Sequence, residues 1–402
     1  MKKIIILSAI STSLLGLSTA QAKHNDQHVS LNPSLIKAER ISDQKRILAR
    51  TLSQHYEQLA PLLHATIDEE NPQAPLSVFL DHQSQLAFTQ QMVQADEKIR
   101  QWKGIENEAS ELLEVRLANK NSLNAWQDTN VEPLFAYEPS GDDSQWQYIE
   151  AFDVYGNVHQ LNVYQAPEVP VFVIDSNSDT ELKAGLNVMR AKIEQRSKEL
   201  FKKHKQDEKQ SVHSPSALTP DQKLATAPIQ TTQLKKIRLE YDQEPWISGR
   251  AEVFALVNGV NPSRDTPTLD LVEMPYLDYD KTDYFPDQVV VHWSRYRWGA
   301  ADIVLMEQDD GTNYAELAVL LMQVAEEVLK SIPDPEVQGY AIIPQITTKI
   351  IQALPDGALT NDDDFVDVFY TIMQDSSYVD HPAAGGNAVV TLEPLEIDPT
   401  RP

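Results

Sequence analysis

The stretch Ala301-Asp302-Ile303-Val304-Leu305-Met306-Glu307-Gln308-Asp309-Asp310, closed by Gly311, decides how the rest of the chain is read. Ile303 and Leu305 alternate with Val304 and Met306, so both faces of this segment are apolar, as in a strand buried on both sides. The same alternation carries Glu307 and Asp309 to one side at the strand's end. Two carboxylates so placed repel each other unless water or a cation lies between them. A buried strand that ends in acids predicts a β-rich region with a metal site at its rim.

Working outward, the region from about Leu234 contains further strand-like runs. They are Ile237–Tyr241, Glu252–Val257, Leu269–Glu273, Val289–Trp293, Phe365–Ile372 and Ala388–Leu392. With Ile303–Met306 the series suits an antiparallel β-sandwich. Two helices interrupt it. Asn313 with Glu316 forms a capping-box-like start, and Leu317, Leu321, Val324 and Val328 follow on one face. A second helix is predicted over Glu336–Leu354, with Ile342, Ile346 and Ile350 one turn apart and a kink at Pro344.

The preceding part has another character. Ser42–Ala60 carries a helical stripe of Leu48, Leu52 and Leu59 with Ser42 as a cap, and Pro61 is expected to kink or restart the helix. Further helical pieces are predicted at Leu76–Leu80, Leu86–Trp102 and Ala109–Leu117. Beyond Val131, Trp146–Phe152 and Val158–Tyr164 alternate around Gly156, which predicts a hairpin. Pro170–Ile174 reads as a third strand. Asp179 then caps an amphipathic helix bearing Leu182, Leu186, Met189, Ile193 and Leu200, with Lys198, Lys202 and Lys203 at its negative end. The fold class expected is therefore α+β. An N-terminal α+β domain, helical in its first half, spans 23–203. A Pro/Ser/Gln linker spans 204–233, and the acidic β-sandwich with its two-helix insertion spans 234–402.

Residues 1–22 carry the pattern of a secretory signal peptide. Lys2 and Lys3 precede the apolar run Ile4–Leu17, and Ala20-Gln21-Ala22 is a small-x-small cleavage site. Export to the periplasm or the exterior is the expectation, with Lys23 as the new terminus. No later run approaches the roughly 20 apolar residues of a membrane helix. The chain has no cysteine, so disulfide and thiolate chemistry are excluded.

The formal net charge is −26. It is concentrated late: Gly249–Pro402 holds 27 Asp and Glu against 8 Lys and Arg, 8 − 27 = −19. Such a surface repels nucleic acid and attracts cations. The acids fall at strand ends or in adjoining loops: Asp265; Asp278, Asp280 and Asp283; Glu307, Asp309 and Asp310; and Asp362, Asp363, Asp364 and Asp367. Calcium needs six to eight oxygens from such loops, which one end of a sandwich can supply. Asp265, Glu307, Asp309, Asp310, Asp363 and Asp364 form the expected calcium set, with Asp278, Asp280 and Asp283 as a secondary group. The latter opens like an EF-hand loop but lacks its fifth-position Asp/Asn and sixth-position Gly.

Glu307-x-Asp309 followed later by Asp363-Asp364-Phe365 resembles the calcium loops of the calcium-dependent phospholipid-binding sandwich of protein kinase C type. Gly259–Asp265 leading into Thr268–Glu273 resembles that family's first calcium loop. The resemblance implies calcium ligation by these acids. The chain departs from the family in its first acid, which is Glu307 rather than Asp, in the helical insertion, and in lacking a basic lipid-binding patch. A second resemblance is broader. Gly249-Arg-Ala-Glu-Val-Phe-Ala-Leu-Val, Met274-Pro-Tyr-Leu-Asp, His292-Trp-Ser-Arg-Tyr-Arg-Trp-Gly-Ala and Glu307–Asn313 are similar to a family of secreted bacterial proteins with no assigned function. It implies secretion and no activity.

His292–Trp298 is a dense aromatic and basic cluster in an acidic region. Strand alternation would set Trp293, Arg295 and Arg297 on one face as a ligand-stacking platform. The alternative is core aromatics, with arginines paired to nearby acids. No His-Glu-x-x-His, Gly-x-Ser-x-Gly, Gly-x-Gly-x-x-Gly or Walker loop occurs, which argues against zincin, serine-hydrolase and nucleotide chemistry. A carboxylate pair acting by general acid/base catalysis on a polymer needs no spacing signature. The functional expectation is thus an exported, non-catalytic binding module holding calcium, with a secreted hydrolase as the alternative.

Overall fold

The computed structural model describes residues 33–83, 87–129, 131–141, 143–210, 228–241, 245–249, 252–263, 266–307, 311–332, 338–354 and 365–398. The predicted signal peptide therefore lies outside the described residues.

The deciding stretch is strand β11 of the fold, Ala300–Glu307, and every one of its residues is buried. Its two faces serve two cores. Ala301, Ile303 and Leu305 pack into the interior of a sandwich. Ala300, Val304 and Met306 pack into a larger core beneath helices. β11 pairs antiparallel with β8 (Val253–Val260) on one side and β12 (Phe365–Met373) on the other, and β9 (Pro267–Glu273) completes the order β12-β11-β8-β9. The facing sheet is also antiparallel, in the order β10-β7-β14-β13, built from β7 (Ile229–Leu239), β10 (Gln288–His292), β13 (Tyr378–Pro382) and β14 (Ala388–Ile397). The sandwich is present, with β13 as a strand the sequence reading did not assign.

The insertion between β11 and β12 is helical, as expected. α7 covers Tyr314–Ser331, and Asn313 caps it by accepting the Glu316 N–H at 3.1 Å. α8 covers Ile343–Ala353 and buries Ile343, Ile346 and Ile350. Pro344 does not kink α8. It stands in the first turn, where its missing N–H costs no intrahelical bond.

The N-terminal region contributes α1 (Pro33–Gln54), α2 (Tyr56–Thr66), α3 (Leu76–Gln83), α4 (Ala87–Lys103) and α5 (Leu123–Thr129). Its mixed sheet runs β1-β2-β6-β3-β4-β5, with β1 (Gln73–Pro75), β2 (Leu113–Leu117), β3 (Leu134–Tyr137), β4 (Tyr148–Phe152), β5 (Val158–Asn162) and β6 (Val171–Ser176). The predicted hairpin is β4–β5, and the predicted third strand is β6, which pairs parallel with β3. Three readings are corrected here. Ala109–Leu117 ends in strand β2 rather than a helix, because pairing with β1 and β6 overrides the helix propensity of Leu and Glu. Ser42 lies inside α1 and donates to the Glu138 carbonyl at 2.9 Å rather than capping. The break falls at His55, and Pro61 sits within α2.

α6, Ser178–Gln210, runs past the expected helix end into the expected linker; residues 211–227 are outside the described set, and β7 begins before the linker's expected end. Its cap is Asn177, whose Oδ1 accepts the Thr180 N–H at 2.9 Å, rather than Asp179. The large core is continuous across the expected domain division. It includes Leu48, Phe172 and Leu186 together with Leu256, Val304, Leu321 and Ile346.

Candidate functional site

β2 is apolar on one side, where Leu113, Val115 and Leu117 enter the large core. The alternation therefore sends Glu114 and Arg116 to the other side. That side is the floor of a cleft of about 370 Å³. The start of α6 (Asn177, Ser178, Asp179) forms one wall, and Trp246, Gly249, Glu252, Pro275, Asp278 and Tyr279 form the opposite wall.

The second wall is pinned to the first by a short strap. Ile247 is fully buried in a satellite core with Ile149, Val163 and Val173 of the N-terminal sheet region. Trp246 Nε1 donates to the Asn162 carbonyl at 3.0 Å, Ser248 Oγ donates to Glu138 at 2.9 Å, and Arg116 Nη2 donates to the Ile247 carbonyl at 2.7 Å. Gly249 follows at φ +107°, a conformation open to glycine but strained for other residues.

The floor is a charge network. Arg116 donates twice to Asp175 Oδ2, at 2.8 and 3.2 Å, and Lys45 donates to Asp175 Oδ1 at 3.0 Å. Burial opposes the Arg116 charge, and Asp175, with Glu114 and Glu138, more than restores it. Glu114 is 3% exposed, and Asn177 Nδ2 donates to its Oε2 at 2.7 Å. Burial pushes the Glu114 carboxyl up to about 7; the Asn177 bond and Arg116 pull it down, and Asp175 and Asp179 push it higher. Glu252 is raised well above the carboxylate range, first by desolvation and then by the negative charges of Glu307, Asp175 and Glu181, against a hydrogen bond with Ser178. Beneath the cleft, Lys103 and Glu181 form a fully buried pair, to which Tyr314 of α7 donates its hydroxyl at 3.0 Å. The cleft thus holds two carboxyls kept from full ionisation, a clamped arginine and two aromatic side chains.

The residues singled out in the sequence are distributed as follows. Glu307 is buried at the end of β11, opposite Val253, and its charge reaches Glu252. Asp278 lines the cleft. Asp280 is paired with Lys281, and Asp283 is exposed and acts on Arg238. Asp265, Asp309, Asp310, Asp362, Asp363 and Asp364 lie outside the described residues. Among the described residues, no three His, Asp or Glu side chains gather to hold a metal ion. Asp367 is structural. Its buried carboxylate accepts the N–H groups of Val368, Gly385, Asn387 and Ala388 at 2.6–3.0 Å, and so fixes the glycine-rich turn between β13 and β14.

Trp293, Arg295 and Arg297 do not share a face. His292–Trp298 leaves the strand in two short 3₁₀ turns. Trp293 is buried in the sandwich core and donates to Thr232 Oγ1 at 3.0 Å. Arg295 is exposed and paired with Asp270 at 2.7 Å, and Arg297 lies 5.1 Å from the Trp298 ring centre. Sequence reasoning missed Glu114, Arg116, Asn177, Trp246 and Glu252. The available signal was Glu114-x-Arg116, two charges on one side of an otherwise apolar alternation.

A family model described as a protein of unknown function, DUF3103, matches residues 45–400. The chain belongs to the DUF3103 family. No curated protein and no solved structure matches it. Among the described residues, this DUF3103 protein has no helix long and apolar enough to cross a membrane.

Proposed function

We propose that this chain is an exported, non-catalytic binding protein whose ligand occupies the Glu114–Glu252 cleft, with calcium held by the acidic loops near the end of β11. The cleft carries the reading: a cavity of about 370 Å³ is lined by the carboxyls of Glu114, Glu252 and Asp278, the clamped Arg116, Lys120, Trp246 and Tyr279. Convergent polar groups with displaced pKa values in a concave site mark a candidate binding site. Export is supported by the basic start, apolar run and Ala20-Gln21-Ala22 of the first 22 residues. The calcium part of the reading is supported by the order of acids in the sequence, with Glu307 at the end of β11 followed by Asp309 and Asp310. Thermal melts of the chain lacking residues 1–22, in millimolar calcium and in EDTA, test the metal. A calcium-dependent rise in melting temperature with bound calcium by elemental analysis supports it; no shift and no bound calcium rejects it.

The second reading is a hydrolase acting on a polymer. Glu114 and Glu252 favour it, since two carboxyls held at different pKa values are the arrangement general acid and base need. Glu252 would donate the proton and Glu114 would accept it. Turnover of peptidoglycan, glycans or peptides that is lost in Glu252→Gln, with calcium occupancy intact, would replace the binding reading.

A further inference from the structure

An open sheet edge offers N–H and C=O groups to another strand, and proteins close such edges with bulges, prolines, charges or covering elements. Among the described residues, five of the six edges are closed in this way. β10 and β13 are broken by register shifts, and β13 ends in Pro382. β12 shifts register twice and holds Thr371 at φ +55°. β9 lies against α6, whose Arg190 donates to the Leu271 carbonyl at 3.2 Å. β1 has three residues and ends in Pro75. β5 is different. Its five residues pair with β4 without a shift, and it contains no proline and no Asp, Glu, Lys or Arg, in a chain of net charge −26. Val158, His159, Gln160 and Asn162 are exposed. The direction of the β5 backbone groups follows from the ladder. Asp153 donates its N–H to the Asn157 carbonyl at 3.1 Å, and Val163 donates to the Gln147 carbonyl at 3.2 Å. Antiparallel bonds alternate along a strand, so His159 and Leu161 bond to β4, while Val158, Gln160 and Asn162 turn their groups to the open side. Trp246 Nε1 already donates to the Asn162 carbonyl at 3.0 Å. Among the described residues, the N–H and C=O groups of Val158 and Gln160 have no hydrogen-bond partner.

We propose that β5 is a self-association edge, at which two copies of this chain pair antiparallel about a two-fold axis at His159. The open groups match themselves in this register. Val158 of each copy faces Gln160 of the other, so the two N–H groups of each copy meet the two carbonyls of the other, and the Asn162 carbonyl stays with Trp246. The two His159 residues stand directly opposite, at a position without ladder bonds, where Cα atoms lie about 4.5 Å apart. The same register brings Tyr164 of one copy to the hairpin turn of the other, where Tyr155 stands; both are exposed, at 74% and 73%. Exposed tyrosines are the side chains that association favours. Charge selects a second copy as well. Two chains of this net charge repel over most of their surface, whereas β5 is neutral and its neighbour Asp153 is engaged by His159 at 3.1 Å. The open stretch is short, so the dimer is weak and depends on concentration.

The test is sedimentation of the chain lacking residues 1–22 from about 1 to about 500 µM, with cross-linking through introduced cysteines. The expected result is a reversible monomer–dimer equilibrium. Gln160→Pro is expected to weaken it at least about tenfold while leaving the β4–β5 ladder intact, because the Gln160 N–H lies on the open side. His159→Lys, which sets two like charges opposite each other, serves if Gln160→Pro does not fold by its melting curve. The chain has no cysteine, so a single introduced one reports only on contact between copies. His159→Cys is expected to form a disulfide-linked dimer on mild oxidation, since the facing Cα separation suits the bond. Val379→Cys, equally exposed but on the bulged edge strand β13, is expected to stay monomeric. A dimer that neither Gln160→Pro nor His159→Lys weakens, or one linked by Val379→Cys and not by His159→Cys, would overturn the β5 seam. A monomer at every concentration would overturn the proposal and leave the edge to a strand of another protein.

Discussion

Glu114 is protonated in the folded chain at pH values where an exposed glutamate is not, since its carboxyl stands at about 7 against an ordinary 4.5. The folded state therefore binds the extra proton, and stability falls as pH rises. The contribution is complete below the unfolded value and is lost as pH passes through about 7. Its ceiling is about 3 kcal/mol, from 1.36 kcal/mol per pH unit. Urea denaturation from pH 5 to pH 8 should show this decline, and Glu114→Gln should flatten part of it. Asp302 acts with the same sign at lower pH. Burial lifts it to about 6, against hydrogen bonds from Thr347 and the Thr371 N–H. Asp367 works differently, as acceptor for four amides. Asp367→Asn should cost about 3 kcal/mol in chemical denaturation and raise hydrogen exchange in the 383–388 turn, because an amide cannot replace both oxygens as acceptors.

At the scale of elements, legibility followed how local the deciding forces were. β11, the β4–β5 hairpin and the α7 cap were readable because alternation, Gly156 and Asn313 with Glu316 act within a few residues. β2 was not, because its strand state depends on β6, about 60 residues away. That one misreading hid Glu114 and Arg116, and with them the cleft. The His292–Trp298 platform failed for another local reason: Trp298 and Gly299 adopt positive φ, +62° and +56°, and break the alternation. α6 shows what packing adds to pattern. Gly185 lies against the Tyr314 ring, where a Cβ would sit 2.3 Å from a ring carbon. Gly185→Ala should lose about 1–3 kcal/mol despite its higher helix propensity, measured by thermal or urea melts.

At the scale of the whole molecule, the sequence disclosed the composition of layers but not what lies between them. An α+β chain with a sandwich and a two-helix insertion was readable from strand runs and capping. That α7 and α8 bury one side of the β12-β11-β8-β9 sheet, in a core shared with α1, α4 and α6, was not, since apolar stripes do not name their partners. Nor was the Lys103–Glu181–Tyr314 cluster, which joins α4, α6 and α7 beneath the cleft. Lys103→Met should destabilise by about 3–5 kcal/mol, because Glu181 would keep a buried charge without its cation. The loss should be smaller in Lys103→Met/Glu181→Leu, a pairing that a double-mutant cycle resolves. The same network places negative charge behind Glu252, so the depth of the molecule, and not the loop alone, sets the protonation of the cleft.

The most direct test of the cleft is the titration of the Glu114 carboxyl by carbon-13 NMR, assigned by its loss in Glu114→Gln. A midpoint near 7 is the predicted result. A midpoint near the ordinary 4.5 would contradict it.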